Sequence, residues 1–94
     1  MPTKSPSKQL SVSIVSFNTK ALLQRCLASI YKYTKGITFE VIVVDNHSTD
    51  GSALMVKKSF PKVKLIANKD NRFYTGANNQ ALNIAKGKYL KLGY

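Results

Sequence analysis

The chain has 94 residues, enough for one domain, and its composition (44% hydrophobic, 20% charged) is typical of a globular protein and excludes a disordered one. Fifteen Lys and Arg against four Asp and Glu give a formal charge of +11, which favours anionic partners without choosing among phosphates, nucleic acid and membranes. The single cysteine, Cys26, excludes an intramolecular disulfide, and no apolar run approaches the ~20 residues of a membrane helix. We therefore expect a cytoplasmic protein, with peripheral contact at the inner face of the membrane as its closest approach to lipid.

The first third of the chain predicts a tail, a strand and a helix. Residues 1–9 are basic and contain no apolar segment, so we expect a disordered tail there. Leu10–Phe17 is short, apolar and rich in β-branched residues, which indicates a buried strand. Lys20–Tyr33 has apolar residues at helical spacing, and either Asn18 or Thr19 is expected to cap its first amides.

The middle of the chain repeats this order. Phe39–Asp45 has the continuous apolar centre that is typical of a parallel strand covered on both faces, and it ends in an acid. Turn-forming residues follow, in which Asp50 or Ser48 is expected to cap a helix at Ser52–Phe60. Val63–Ala67 predicts a third strand.

The last third predicts one more helix and strand. After a polar loop at Asn68–Arg72, small apolar residues recur on one helical face until Gly87, and Tyr89–Leu92 begins a fourth strand. Strands that alternate with crossover helices predict an α/β fold: a three-layer α/β/α arrangement around a mostly parallel sheet. We expect the strand order three-two-one-four.

A ligand of such a sheet binds beyond the carboxyl ends of the strands, near the point where the strand order reverses. This rule selects Phe17-Asn18 after the first strand and Asp45-Asn46 after the second. The Asp45 carboxylate is able to accept hydrogen bonds from a ribose hydroxyl or a base N–H; the alternative is a turn or capping role. Phe17 is able to stack on a nucleobase; the alternative is an ordinary core aromatic.

The first strand-to-helix turn contains no glycine, which excludes the dinucleotide-binding fingerprint and the P-loop. NAD-dependent and ATP-hydrolysing functions are therefore disfavoured. His47 has no second His, Cys or paired carboxylate beside it in the sequence, so we assign it no metal or catalytic role.

Several motifs together carry a resemblance to a known family. The sequence from about Leu10 to Leu92 resembles the inverting family 2 glycosyltransferases, which have the GT-A fold. The matching segments, in their expected order, are Val12–Asn18, Leu27–Ile30, Phe39–Ser52, Ala77–Ala81 and Ala85–Tyr89.

The resemblance implies transfer of a sugar from a nucleoside-diphosphate sugar, with UDP, GDP or dTDP as the nucleotide, to a glycan or lipid-linked acceptor. By position, the Phe17 turn and Asp45 would hold the base and ribose, while one region of the last helix would approach the donor from the opposite side. The expected nucleotide-binding residues are therefore Phe17, Asn18, Asp45, Asn46, Asn78 and Asn79. Residues 10–94 would form the N-terminal nucleotide-binding part of the GT-A domain.

The chain departs from the family pattern at the metal ligands and at the catalytic base. In the family, the fourth strand leads into an Asp-x-Asp-like motif that holds Mg²⁺ or Mn²⁺, and a catalytic acid lies further downstream; here Gly93 and Tyr94 follow Leu92. We therefore expect a truncated portion with no metal ligand or catalytic residue of its own, inactive alone and prone to self-association through its fourth strand. Asn71-Arg72-Phe73 also stands where the family often has a glycine.

Two other functions compete with this one. A nucleotidyltransferase would need a glycine-rich basic loop at the Phe17 turn, which the sequence lacks. A non-catalytic basic module would bind nucleotide, nucleic acid or anionic membrane through charge, with an affinity that falls steeply with salt and ignores free UDP. We expect no specific nucleic-acid partner.

Overall fold

The computed structural model describes residues 8–92, and in that range strands and helices alternate strictly. The elements are β1 (Leu10–Ser16), α1 (Lys20–Tyr33), β2 (Phe39–Asp45), α2 (Ser52–Ser59), β3 (Lys64–Ala67), α3 (Phe73–Ile84) and β4 (Lys88–Leu92). The predicted elements are all present, with displaced ends: β1 stops before Phe17, α2 stops before Phe60, and α3 ends at Ile84 and not at Gly87 as expected.

The four strands form one sheet in the order β3-β2-β1-β4, and every neighbouring pair is parallel. This confirms the predicted order. In the register, Ser16 lies beside Asp45, and Asp45 lies beside Ala67. The last residues of three strands therefore meet at one edge of the sheet, which we call the carboxyl end.

Helices cover both faces of the sheet, and β2 is apolar on both faces along Val41–Val44. On one face, strand residues pack against α1 and α2; on the other, they pack against the small side chains of α3. The first cluster contains Val12, Ile14, Val41 and Val43 with Leu23, Leu27, Met55 and Val56; the second contains Val15, Ile42 and Val44 with Ala77 and Ala81. This is the predicted three-layer arrangement.

The opposite edge, the amino end, is held together around Glu40. Its Oε2 atom accepts hydrogen bonds from Ser11 Oγ at 2.6 Å and from the Lys86 N–H at 2.7 Å, and its Oε1 atom lies 2.8 Å from Lys64 Nζ. Burial works to raise the pKa of Glu40, but Lys64 and these hydrogen bonds outweigh it and hold the pKa below its ordinary value. Gly87 packs so closely here that a Cβ would lie 2.7 Å from the Lys8 carbonyl oxygen.

The caps of the first helices differ in part from the prediction. The prediction that Asn18 or Thr19 caps α1 is wrong: Thr19 stands at the N-cap position without a side-chain capping bond, and Asp50 Oδ2 accepts from the Lys20 N–H instead. Asp50 also serves α2, as predicted, because its Oδ1 atom accepts from the Ser52 N–H. Ser48 caps neither helix, since its side chain bonds Asp45 and Asn18.

The remaining expectations concern the chain termini, self-association through β4 and the membrane. The predicted tail falls largely on residues 1–7, which lie outside the described residues, as do Gly93 and Tyr94. Gln9 lies beside β1 and exchanges backbone and side-chain hydrogen bonds with Thr38. Self-association through β4 stays a prediction. Within residues 8–92, no helix combines the length and the apolarity that crossing a membrane requires.

Candidate nucleotide-binding site

The loops that follow β1, β2 and β3 gather at the carboxyl end of the sheet, because the strands are parallel and in register. The strand order reverses between β1 and β4, since β2 lies on one side of β1 and β4 on the other. This is the position at which open parallel sheets bind ligands. The side chains that follow β1 and β2 are therefore the first candidates for a site.

Asp45 and Asn18 are joined through Ser48. Ser48 Oγ donates to Asp45 Oδ1 at 2.6 Å and accepts from the Asn18 N–H at 2.9 Å, while the Ser48 N–H donates to Asp45 Oδ2 at 3.0 Å. Asn18 Oδ1 accepts from the Thr49 N–H at 2.8 Å. Asn18 has a φ of 51°, a left-handed conformation that asparagine tolerates. The structure therefore brings the two predicted residues together in one network.

Asp45 combines deep burial with unused acceptor capacity. It is 3% exposed, and each of its carboxylate oxygens accepts one bond from Ser48. A carboxylate has about four lone-pair sites, so acceptor positions remain for a ligand N–H or O–H. Because water hardly reaches the group, a hydrogen bond made to it from the open edge is weakly screened.

Asp50 fixes the two helices that start at this end. Its carboxylate accepts from the first amides of α1 and α2, Lys20 N–H and Ser52 N–H, at 3.0 Å each, and from Ser52 Oγ. The Ser52 side chain, followed by the backbone donors, holds the pKa of Asp50 below its ordinary value. A negative charge between two helix N-termini is favourable because both dipoles present their positive ends there.

Asn46 is fully buried and holds the third loop in place. Its Nδ2 donates to the Phe73 carbonyl at 3.1 Å, and its Oδ1 accepts from Asn68 Nδ2 at 3.0 Å and from the Arg72 N–H at 3.3 Å. Asn68 is held in turn by two bonds with Gln80 of α3. The side chain of Asn46 thus connects β2 to the start of α3; its direct contact with nucleotide stays a prediction.

Two aromatic rings are exposed at the carboxyl end. Phe17, directly after β1, is 39% exposed, so the structure favours an accessible ring over the core aromatic that was the alternative. Phe73, the first residue of α3, is 71% exposed and has a φ of 58°, which is strained for a bulky residue. Asn71 Oδ1 accepts from its N–H at 2.7 Å and Asn46 donates to its carbonyl, and these bonds hold the strained conformation.

Asn78 and Asn79 lie on α3, away from the Asp45 network. Asn78 is 7% exposed, and its carbonyl accepts from Tyr89 Oη, which also contacts Ser13 Oγ at 2.8 Å; its Nδ2 has no hydrogen-bond partner among the described residues. Asn79 is exposed on the same helix. The structure therefore places one of the pair over the sheet and the other toward solvent, and a shared role for them at the nucleotide stays a prediction.

A cavity beside the end of β1 is too small to hold a nucleotide. It has a volume of about 180 Å³ and lies between β1 and α1, lined by residues that include Ser16, Thr19, Leu22 and Cys26. Small-molecule sites typically measure about 300–1,000 Å³. This cavity by itself therefore does not hold the nucleotide.

The four acids of the chain do not form a site for a divalent cation. Glu40 lies at the amino end, Asp50 bonds two helix starts, and Asp70 pairs with Arg72 on the surface. Between residues 8 and 92 no three His, Cys, Asp or Glu side chains are grouped as metal ligands. The oxygen set that Mg²⁺ or Mn²⁺ requires is not supplied by these residues.

Sequence reasoning missed three residues that shape the site. Ser48 joins Asp45 to Asn18, Asp50 serves α1 from a distance of 30 residues along the chain, and Phe73 adopts a positive φ. For Phe73 an indication existed, because the glycine that the family often has in this loop tolerates that conformation. For the other two, the partners lie on different loops, and no local pattern shows them.

Four parallel strands with helices on both faces form a Rossmann-like sheet of the kind found in the GT-A fold. The comparison with protein families agrees: residues 11–91 match the model of glycosyl transferase family 2. The chain belongs to this family and is, by family, part of an enzyme.

Three known proteins illustrate the similarity. An uncharacterized glycosyltransferase of Bacillus subtilis, YfnE, is 38% identical over 82 residues, which cover 85% of this chain and 21% of that protein. S. aureus TarS in complex with UDP superposes with a TM-score of 0.78 at 31% identity over 90% of this chain and 27% of that one. The Pyrobaculum calidifontis mannosyltransferase PcManGT, in complex with GDP-Man and Mn²⁺, gives 0.70 at 29% identity over 86% and 26%. The chain thus spans about a quarter of the length of such relatives.

Proposed function

We propose that residues 8–92 form the base- and ribose-binding part of a glycosyltransferase that uses a nucleoside-diphosphate sugar. The observation that carries the proposal is the Asp45 carboxylate: it stands at the end of β2 with acceptor capacity unused, and Ser48 ties it to the turn that presents Phe17. In this arrangement Phe17 stacks on the base, and Asp45 accepts a hydrogen bond from the base or ribose.

The acceptor character of Asp45 is compatible with several bases. Uracil, thymine and guanine each present an imino N–H that a carboxylate accepts, and the family resemblance points to the same nucleotides. We therefore propose UDP, dTDP or GDP as the nucleotide. UDP and GDP-Man in the TarS and PcManGT complexes support this choice.

We propose that the described residues bind and orient the nucleotide, and that they do not carry out the transfer step alone. Inverting transfer needs a base for the acceptor hydroxyl and positive charge at the departing diphosphate. A divalent cation would supply that charge when bound, as Mn²⁺ in the PcManGT complex suggests, but the acids of residues 8–92 are not grouped as metal ligands. Transfer to a glycan or lipid-linked acceptor, and a cytoplasmic location, remain proposals of the same kind.

The test is a titration of the ¹⁵N-labelled chain with uridine, UDP and pyrophosphate. If the site recognises base and ribose, uridine alone shifts the amide resonances near Phe17 and Asp45, and pyrophosphate does not. If pyrophosphate shifts those amides as strongly as UDP does, and added salt abolishes both effects, the basic-module alternative is correct.

Matched variants test which residues are responsible for UDP binding. Asp45→Asn is expected to weaken UDP binding at least tenfold, whereas Asp70→Asn, which changes the charge equally on the neighbouring loop, leaves the affinity unchanged. Phe17→Ala removes a stacking contact worth roughly 1–3 kcal/mol. Circular dichroism and the remaining amide resonances show whether each variant keeps its fold. Equal affinities for the Asp45 and Asp70 variants would contradict the proposed role.

A further inference from the structure

Charge is segregated between the two ends of the sheet. A parallel sheet sends every strand-to-helix connection to the carboxyl end and every helix-to-strand connection to the amino end. Asp45, Asp50 and Asp70 all lie at the carboxyl end, where Lys20, Lys69 and Arg72 balance them in number. The amino end contains one acid, Glu40, which is buried and paired with Lys64.

The amino end therefore carries a large uncompensated positive charge. Eight of its lysines form no ion pair with any described residue, and seven of the eight are exposed. They come from the helix ends, the following turns and the strand starts: Lys8, Lys32, Lys35, Lys57, Lys58, Lys62, Lys86 and Lys88. We call this surface the basic end.

Apolar side chains are exposed on the same surface. Tyr33, at the end of α1, is 71% exposed, and Ile37, in the turn that follows, is 42% exposed. Beside them, a groove of about 270 Å³ is lined by Tyr31, Phe60 and Pro61. Tyrosine suits the boundary between headgroups and acyl chains because its ring is apolar and its hydroxyl is polar.

We propose that the basic end docks on an anionic phospholipid bilayer. The lysines then lie at the headgroup phosphates, and Tyr33 and Ile37 lie at the acyl boundary. The carboxyl end of the sheet is directed away from the membrane. Lysine with an exposed tyrosine and isoleucine is the chemistry of membrane interfaces. Nucleic-acid sites commonly use arginine forks, whereas the basic end contains no arginine. The proposal does not depend on nucleotide binding.

Vesicle co-sedimentation tests the surface with a charge-matched pair of triple variants. Lys35, Lys58 and Lys62→Gln remove three of the eight charges of the basic end, and Arg25, Lys69 and Lys91→Gln remove the same charge elsewhere. On phosphatidylcholine vesicles with about 30% phosphatidylglycerol, each basic-end lysine is expected to contribute about fivefold, so the first variant binds roughly 100-fold more weakly than the second. Equal loss in both variants would mean that only net charge matters, and would overturn the proposal.

Tryptophan reporters test the orientation, because the chain contains no Trp. Tyr33 and Phe73 are both 71% exposed and lie at opposite ends of the sheet. Tyr33→Trp is expected to shift its emission to the blue on anionic vesicles, and Phe73→Trp is not. A shift in the second reporter alone, equal binding to pure phosphatidylcholine, or displacement of vesicles by an oligouridylate that binds more tightly would each refute the proposed docking.

Discussion

The two ends of β2 each carry a buried acid, and the two acids differ in how their acceptor capacity is used. Glu40, at the amino end, bonds Ser11, Lys64 and the Lys86 N–H, which come from three other elements or turns. The side-chain carboxylate of Asp45, at the carboxyl end, accepts from Ser48 alone among the described residues. The Glu40 carboxylate is used in hydrogen bonds within the fold, and the Asp45 carboxylate keeps acceptor positions for a ligand.

The difference separates stability from binding within a single strand. The Glu40 contacts close the amino end, where β1, β2, β3 and the start of β4 are drawn together. The Asp45 contacts join only two loops at an edge that stays open. Changes at the amino end should therefore alter the free energy of unfolding, and changes at the carboxyl end should alter ligand affinity with smaller effects on stability.

The largest effect is expected for Glu40→Ala. The change removes charge-assisted hydrogen bonds and leaves the Ser11 hydroxyl and the Lys86 N–H with less favourable partners, so the free energy of unfolding should fall by about 3 kcal/mol. Urea denaturation measures this. The control is Asp70→Ala, which breaks an exposed pair with Arg72 and should change stability by less than about 0.5 kcal/mol. A similar loss of stability in both variants would contradict the stabilising role assigned to Glu40.

Gly87→Ala should destabilise next most, by about 2 kcal/mol, because the new Cβ would meet backbone atoms at 2.7–2.9 Å. Gly76→Ala is the matched control: its Cβ meets the Arg72 side chain at 3.2 Å, and alanine is favoured over glycine within a helix. Thermal unfolding of the two variants should give a clearly lower midpoint for the first and a near-native one for the second. Equal midpoints would show that the amino end is less tightly packed than described.

Acid should weaken the amino end through Glu40. Its pKa is lowered in the fold, so its contribution to stability is complete above the ordinary glutamate pKa and is lost as the pH falls through the folded-state value, that is, below about 4.3. Asp50, whose pKa is also lowered, adds to the loss in the same direction. Urea midpoints between neutral and acidic pH measure the decline, which Glu40→Gln should reduce. An unchanged decline in that variant would assign the effect to other groups.

The smallest effect is expected at the carboxyl end, for Phe73→Gly. Relief of the positive φ gains about 1–2 kcal/mol, and the entropy of glycine costs about 0.5–1, so the net gain should be near 0.5–1 kcal/mol. Asn18→Gly is the control, because Asn18 also has a positive φ but its side chain accepts from Thr49 N–H; this change should destabilise. Stabilisation by both changes would mean that the Asn18 bond contributes little.

The order of helices and strands could be predicted because each element carries its own hydrophobic pattern. Val41–Val44 shows a strand covered on both faces, and Ala77 and Ala81 show a helix that packs through small side chains. The strand order and the position of Asp45 beside the Phe17 turn followed from the rules for parallel sheets together with the family resemblance, and the register confirms both.

The roles of individual polar residues could not be predicted in this way. Sequence proximity assigned the α1 cap to Asn18 or Thr19, but the cap comes from Asp50, which a parallel neighbour places at the same edge. The side chain of Asn46 bonds the start of α3, which no local pattern indicated, and its expected contact with the ligand stays a prediction.

The sequence by itself thus determined the elements, the layers and the family of this protein, since hydrophobic periodicity and motif order act along the chain. Only the tertiary structure decided which acid has its acceptor positions filled by the fold, which acid keeps acceptor positions for a ligand, and at which end of the sheet the lysines lie. For Glu40 the outcome depends on Ser11, Lys64 and Lys86, which are distant along the chain and whose approach is set by the register of the sheet and not by local sequence.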